Sequence, residues 1–171
     1  VLKSVPNSTI NLVITSPPYP NNYDYADATR LEMSFWGDVT GWGDLHQKAR
    51  QWLVRSCSQH VSIEGTKLQD ILGELADVSF LPELEGVCQQ LAVARLEHGG
   101  RKDYHIMVAA YFADMKEVWN SLRRVCRPGA AVCFVIGDSA PYGVYVPVDK
   151  WLGELALAAG FIRAVQQMLG A

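Results

Sequence analysis

The run Thr15-Ser16-Pro17-Pro18-Tyr19 places two hydrogen-bond acceptors beside an aromatic ring. The Ser16 hydroxyl and the Pro17 carbonyl can each accept a hydrogen bond from an amino group, and the two proline rings reduce the entropy lost in orienting them. The ring of Tyr19 can stack on a planar base. Fixed acceptors draw the amine hydrogens away, so the nitrogen lone pair can attack a methyl donor without a strong base. These residue types therefore suit methylation of the amino group of a base.

Two apolar runs are expected to position this motif. Residues 11–15 predict a buried strand that ends at the proline pair, and residues 130–136 predict a second buried strand of the kind found in parallel sheets. Ligands of open α/β sheets bind outside the carboxyl ends of the strands. We therefore expect the proline loop to lie beside the turn Gly137-Asp138-Ser139, where Asp138 and Ser139 either orient the base or its sugar, or cap the turn.

Helical spacing dominates the remaining sequence. A helical insertion is predicted for residues 24–104, including a helix over residues 82–96, and two further helices are predicted for residues 111–126 and 147–159. Two apolar stripes support the insertion: Leu45, Ala49, Trp52 and Leu53, then Leu68, Ile71, Leu72 and Leu75. With a last strand predicted for residues 161–169, the alternation of strands and helices indicates an α/β fold with right-handed crossovers.

Composition limits the classes of protein that need be considered. A chain of 171 residues, 49% of them hydrophobic, can bury one ordinary core. The longest apolar stretch is too short to cross a bilayer, so a cytoplasmic protein is expected. The net charge of −3 means that DNA binding requires a local basic patch. Arg101 and Lys102 are the candidates for phosphate contact, although an ordinary solvated turn is an equal alternative; Arg123, Arg124 and Arg127 are explained by the helix dipole.

Cysteine, histidine and tryptophan spacing suggests structural roles. Four scattered cysteines, Cys57, Cys88, Cys126 and Cys133, form no C-x-x-C pair, and the four histidines show no recognised metal-ligand spacing. We therefore expect reduced thiols in the core and no metal. Tryptophans at helical spacing are more often buried than base-stacking, so Trp36, Trp42 and Trp52 are predicted to belong to the core.

The motif and its preceding strand resemble the catalytic motif of DNA methylases that modify the exocyclic amine of cytosine or adenine. The resemblance extends to Asn21-Asn22-Tyr23-Asp24-Tyr25 and to residues 111–139, about half of the chain. It implies a partial class I, Rossmann-like methyltransferase sheet, S-adenosylmethionine as methyl donor, and DNA as substrate. It also implies that residues 16–19 surround the target amine of an extruded nucleotide, with Asn21, Asn22, Asp138 and Ser139 at the substrate.

Two features of that family are not found in this sequence. The glycine-rich cofactor loop and the acidic residue that binds the cofactor ribose are missing, and Gly41-x-Gly43 does not follow a predicted strand. The expected explanation is a fragment or a degraded copy, whose exposed strand edge requires self-association or a covering segment. Two alternatives remain: a non-catalytic nucleic-acid-binding or interaction remnant, and a methyltransferase acting on RNA or on protein amides.

Overall fold

A computed structural model describes residues 2–100 and 102–167, without the side chains of residues 62–64. The first strand, β1, spans Ile10–Thr15, and the second, β2, spans Cys126–Phe134. They pair in parallel, with Ile14 opposite Cys133 and Thr15 opposite Phe134. The α/β class and the parallel arrangement are therefore confirmed, while the sheet within the described residues has these two strands only.

Short helices fill the region between the strands. In chain order, their bounds are Tyr25–Ala28 (α1), Arg30–Phe35 (α2), Trp42–Lys48 (α3), Ser58–Glu64 (α4), Leu68–Glu74 (α5) and Leu81–Glu97 (α6). The residues from Leu68 onward that were predicted to face inward do so. The reason is that α5 and α6 both pack on the helix that follows α6, which comprises residues 104–125. The first predicted stripe is only partly correct: Leu45 is buried, whereas Trp52 lies exposed in the 3-10 turn Arg50–Trp52.

The central helix, α7, spans Tyr104–Val125 and begins before the predicted start at residue 111. Each residue from Met107 to Ala113 is buried, so these two turns of the helix are surrounded by protein rather than amphipathic. The predicted end of the helix at residue 126 is confirmed to within one residue, since α7 ends at Val125, whereas β2 starts at Cys126 rather than at residue 130 and so includes Arg127-Pro128-Gly129. These residues belong to β2, which follows α7 without a loop, and Gly129 adopts a φ of 81° beside the irregular pairing between Ile10 and Leu12.

The last helix, α8, spans Val148–Ala158 and completes the core. Its Trp151 stacks on Phe80, with ring centroids 5.1 Å apart, and contacts Phe112 edge-on. The strand predicted for residues 161–169 is wrong over its described part, residues 161–167, and its end lies outside the described residues. Phe161 instead packs edge-on against Trp119, and no described strand lies beside this segment to supply hydrogen bonds.

The two faces of the sheet differ. Val13, Val132 and Phe134 pack against the core, whereas the alternate residues lie on an exposed apolar face: Leu12, Ile14, Ala131, Cys133 and Val135. The expectation that all four thiols are buried is therefore wrong for Cys133, since strand alternation turns its side chain outward. Among the described helices, none combines the length and the apolarity needed to cross a membrane.

Candidate active site

The proline loop and the end of β2 meet as the sequence predicts. The backbone N–H of Val135 donates to the Thr15 carbonyl at 2.9 Å, which extends the ladder one residue beyond β2. The Ser16 hydroxyl then donates to the Val135 carbonyl at 3.0 Å, and the Tyr19 hydroxyl approaches the same oxygen at 3.4 Å. One backbone oxygen at the carboxyl edge of the sheet thus orients both Ser16 and Tyr19.

This arrangement leaves acceptor capacity in the loop. The Ser16 hydroxyl is exposed and uses its proton on Val135, so its lone pairs remain able to accept a hydrogen bond. The carbonyl of Pro17 receives no hydrogen bond from the described residues. The half-buried ring of Tyr19 passes close to Gly137, where an added Cβ would lie 3.7 Å from Tyr19 Cε2. Two acceptors and an aromatic ring are therefore held on one short loop.

The turn after β2 makes structural contacts. The buried Ser139 hydroxyl donates to the Pro20 carbonyl at 2.6 Å, which fixes the far end of the proline loop. The Asp138 carboxylate accepts a hydrogen bond from the Tyr145 hydroxyl at 2.5 Å and one from the backbone N–H of Asp149 at 3.3 Å, in the first turn of α8. The hydrogen bond to Asp138 raises the pKa of Tyr145. These contacts favour the turn-capping interpretation of both residues.

Asn21 and Asn22 have different surroundings. Asn21 is exposed, and its side-chain oxygen accepts a hydrogen bond from the Tyr23 backbone at 3.2 Å. Asn22 adopts a φ of 66°, and its side-chain oxygen accepts hydrogen bonds from the backbone and the hydroxyl of Ser58. Of the two residues, Asn21 is therefore the one whose side chain is free to meet a substrate, while Asn22 joins the loop to α4.

Two residues beneath the loop were not anticipated from the sequence. Asp24 caps α1 through the backbone N–H groups of Ala26 and Asp27, and it forms an ion pair with the buried Arg50 at 2.7 Å. Tyr111 is fully buried in α7, and its hydroxyl has no hydrogen-bond partner in the described residues. Burial raises the pKa of Tyr111 strongly, with smaller contributions from Tyr25 and Tyr19. An aspartate directly before a helix is a capping signal that the sequence did contain.

The predicted basic patch is only partly described, because Arg101 lies outside the described residues. Lys102 is half-buried beside Asp103, which pairs with Arg95 at 3.0 Å. His98 and Tyr104 contact Tyr142, with ring centroids 4.3 and 4.5 Å away. Since Tyr142 belongs to the turn Pro141–Gly143, which soon follows Ser139, His98 and Tyr104 pack against the polypeptide that leaves the sheet edge.

Other cations and aromatics lie apart from this loop. Two of the three arginines assigned to the helix dipole make contacts with residues 2–8: Arg124, in the last turn of α7, donates to the carbonyls of Leu2 and Val5, and Arg127, which lies in β2, donates to that of Ser8. The prediction that three tryptophans are buried is wrong, because the short helices around them have few buried residues. Their exposed fractions are 75% for Trp36, 58% for Trp42 and 77% for Trp52.

The setting of Gly41 and Gly43 is not that of a cofactor loop. Gly41 precedes α3 and Gly43 lies inside it, and neither follows a strand. This is not the strand–loop–helix setting in which glycines let a backbone approach a nucleotide. The rejection of Gly41-x-Gly43 as a cofactor loop is thereby supported.

The similarity to known proteins extends beyond the motif. The chain is 31% identical to the Type II methyltransferase M.BsoBI from Geobacillus stearothermophilus over 172 aligned positions, which cover 94% of the chain and 33% of that protein. It is 28% identical over 151 positions to the Type II methyltransferases M.AvaI from Nostoc sp. (strain PCC 7120) and Anabaena variabilis, covering 87% of the chain and 30% of each relative. No family model and no solved structure matches.

The chain spans about a third of the length of the curated relatives it matches. The similarity nevertheless includes nearly the whole chain rather than the proline motif and its flanks alone. The resemblance to DNA methylases is therefore confirmed: over most of its length, this chain is related to the Type II methyltransferases.

Proposed function

We propose that this chain is the target-base portion of an S-adenosylmethionine-dependent DNA methyltransferase of a restriction-modification system. Its substrate in this proposal is the exocyclic amine of cytosine, or of adenine. The hydrogen bond from Ser16 to the Val135 carbonyl is the observation that carries the proposal. It commits the serine proton to the protein and leaves oxygen lone pairs for an amine, at the edge of the sheet where α/β enzymes bind ligands.

The residues of the loop have separate tasks in this mechanism. The Ser16 hydroxyl oxygen and the Pro17 carbonyl accept the two amine hydrogens, which holds the nitrogen lone pair toward the methyl donor. The ring of Tyr19 stacks on the extruded base and offsets part of the unstacking cost of roughly a few kcal/mol. Ser139 and Val135 position the loop through the hydrogen bonds described above.

The methyl donor supplies an electrophilic methyl group. In this proposal its binding site requires sequence that corresponds to the parts of the relatives that this chain does not match. Support comes from the setting of Gly41 and Gly43, which does not fit a cofactor loop, and from the third of each relative that the chain matches. No step of the proposed mechanism therefore depends on a contact between the cofactor and the described residues.

DNA contact is proposed to involve few basic residues. Lys102, together with Arg101, is the candidate for phosphate contact, and Asn21 is the exposed polar side chain nearest to the motif in sequence. A protein of net charge −3 that uses so few cations releases few counterions. Its affinity for DNA should therefore depend only weakly on salt.

Methyl transfer to DNA tests the proposed reaction. A longer protein that contains this chain, together with sequence corresponding to the rest of the relatives, is incubated with plasmid DNA and S-adenosylmethionine carrying a labelled methyl group, and the nucleosides are separated by mass. N4-methylcytosine or N6-methyladenine supports the proposal, provided that the Pro17→Ala variant loses activity and the Tyr23→Ala control retains it. Label in 5-methylcytosine would contradict an amine target.

Calorimetric titration with S-adenosylmethionine tests whether this chain binds the cofactor by itself or needs further sequence to do so. Saturable micromolar binding would show a cofactor site in this chain and overturn the assignment of that site to other sequence. Absence of binding by this chain, together with absence of methyl transfer by the longer protein, would favour the non-catalytic alternative. Pro17→Ala and Tyr19→Ala serve as references, because the proposal places neither residue at the cofactor.

A further inference from the structure

A group of buried polar atoms beneath the proline loop has no hydrogen-bond partner among the described residues. It comprises His46 Nδ1, Arg50 Nε, Ser56 Oγ and both ring nitrogens of His60. Only 2% of His60 is exposed, so bulk water does not reach its ring. A buried polar group left unsatisfied costs about 1–3 kcal/mol. Such a concentration of unsatisfied atoms within residues 46–60 indicates that this place binds something besides protein.

Three ligand atoms converge at the same place. A carboxylate oxygen of Asp24, Sγ of Cys57 and a ring nitrogen of His60 all lie within 4.8 Å of one another. Cys57 immediately precedes α4 and His60 lies in its first turn, and positions three residues apart share one face of a helix. Asp24 comes from the other side, where it caps α1. Two chain segments thus bring a sulfur, a nitrogen and an oxygen ligand together.

We propose that Asp24, Cys57 and His60 bind a zinc ion, with water as the fourth ligand. Thiolate and imidazole favour zinc over magnesium or calcium, which prefer oxygen ligands. Ligand atoms around tetrahedral zinc are separated by about 3.3–3.8 Å, given metal–ligand distances of about 2.0–2.3 Å. The observed limit of 4.8 Å therefore requires only a small inward movement of the side chains.

The charges at this place are compatible with a divalent cation. A carboxylate and a thiolate balance its two positive charges, and Arg50, which is paired with the same Asp24 carboxylate, leaves the site with one net positive charge. Without a metal, burial raises the pKa of the Cys57 thiol and lowers that of His60. Zinc binds the thiolate form of cysteine, so binding displaces the proton of the Cys57 thiol.

The proposed ion would stabilise the substrate loop from below. Asn22, two residues before Asp24, already bonds to Ser58, next to Cys57. Zinc would add a second connection between the same two segments and fix Asn21 relative to α4. This role is structural and does not depend on the proposed methyl transfer, so failure of either proposal leaves the other intact.

Cobalt(II) provides the test, because tetrahedral cobalt–thiolate centres absorb visibly. The full chain is freed of metal with a chelator, titrated with Co²⁺ and then with Zn²⁺. The expected result is one equivalent of Co²⁺, a sulfur-to-cobalt charge-transfer band, and displacement by Zn²⁺. Cys57→Ser should lose the band, while the control Cys133→Ser, which removes an exposed thiol, should retain it.

A second measurement protects the test against a variant that fails to fold. Zn²⁺ should raise the melting temperature of the wild-type chain and raise it far less in His60→Gln, whose folding is checked by circular dichroism. Failure of the folded wild-type chain to bind either metal overturns the proposal and indicates buried water instead. A charge-transfer band that persists unchanged in Cys57→Ser also overturns it.

Discussion

Asn22 and Ser58 are joined by two hydrogen bonds across 36 positions of sequence. The backbone N–H and the hydroxyl of Ser58 donate to the same Asn22 oxygen, at 2.9 and 2.7 Å. The backbone N–H of Asn22 in turn donates to the Ser56 carbonyl at 3.1 Å. The segment after the proline motif is therefore attached to α4, and the helical region takes part in shaping the loop.

Replacing Asn22 should test this attachment. Asn22→Ala leaves the buried Ser58 N–H without its acceptor and places alanine at a φ of 66°, so we expect a loss of about 2–3 kcal/mol in the free energy of unfolding. Asn21→Ala removes one exposed hydrogen bond and should cost less than about 1 kcal/mol. Urea denaturation measures both, and equal losses would contradict the distinction between the two asparagines.

Removing the ring of Tyr19 should weaken base binding. Stacking of a base on an aromatic side chain contributes about 1–3 kcal/mol, so Tyr19→Ala is expected to raise the Kd for a single-stranded oligonucleotide by about 5- to 150-fold. Tyr19→Phe keeps the ring and should change the Kd by less than about twofold. Fluorescence anisotropy provides the measurement, with the exposed Tyr23→Ala as control. An unchanged Kd for Tyr19→Ala would remove this ring from the substrate site.

Cys133 should react far faster than the other thiols. It is exposed on β2, whereas Cys57, Cys88 and Cys126 are buried, and burial raises the pKa of Cys88 to about 12. Brief alkylation of the native chain, at a concentration too low for self-association, should modify one cysteine, whereas alkylation in denaturant should modify all four. Peptide mass spectrometry identifies the site. Protection of Cys133 in the native chain would show that the outer face of the sheet is covered in solution.

The exposed sheet face should promote self-association of the isolated chain. Leu12 and Ile14 are exposed on β1, which has one strand neighbour in the described part of the chain. We expect light scattering after size-exclusion chromatography to detect oligomers at micromolar concentration. Ile14→Lys should shift the population toward monomer, and Leu96→Lys, at an exposed position on α6, should not. A monomeric wild-type chain would contradict this expectation.

Acidification should destabilise the fold through His105. Burial lowers the pKa of His105, Asp103 opposes the shift, and Arg95 reinforces it. In the unfolded chain the pKa is about 6.5, so as pH falls below that value the unfolded state binds a proton that the folded state resists. The free energy of unfolding should therefore fall between pH 7.5 and 5.5, and less so in His105→Gln. Urea titrations at both pH values measure the difference; equal pH dependence would exclude a contribution from this imidazole.

The meeting of the two strand ends is predictable from local sequence. A proline pair must end β1, and a parallel partner must return to the same edge, so Ser16 and Val135 become neighbours. The position of the serine and the proline carbonyl relative to the sheet then follows. The atoms that the serine and the proline carbonyl contact cannot be predicted in this way, because hydrogen-bond partners from distant segments depend on the completed fold.

Side-chain exposure was harder to predict from the sequence. The helices α1 to α3 share a small separate core of Ala26, Val39 and Leu45, which leaves the nearby Trp36 and Trp42 outside it. Helical spacing alone cannot show how much surface a short helix will find to cover it. The spacing of Cys57 and His60 was visible in the sequence, but their third neighbour comes from a distant turn that only the fold brings close.

The contact between Ser16 and Val135 also sets the order of events during protein synthesis. These residues are 119 positions apart, so the motif leaves the ribosome long before its partner. At roughly 5–20 residues per second, the wait lasts roughly 6–24 s. Throughout it, the apolar strand before the motif lacks its native neighbour and can pair with other nascent chains. The yield of folded chain therefore depends on protection of this amino-terminal segment until β2 has been made.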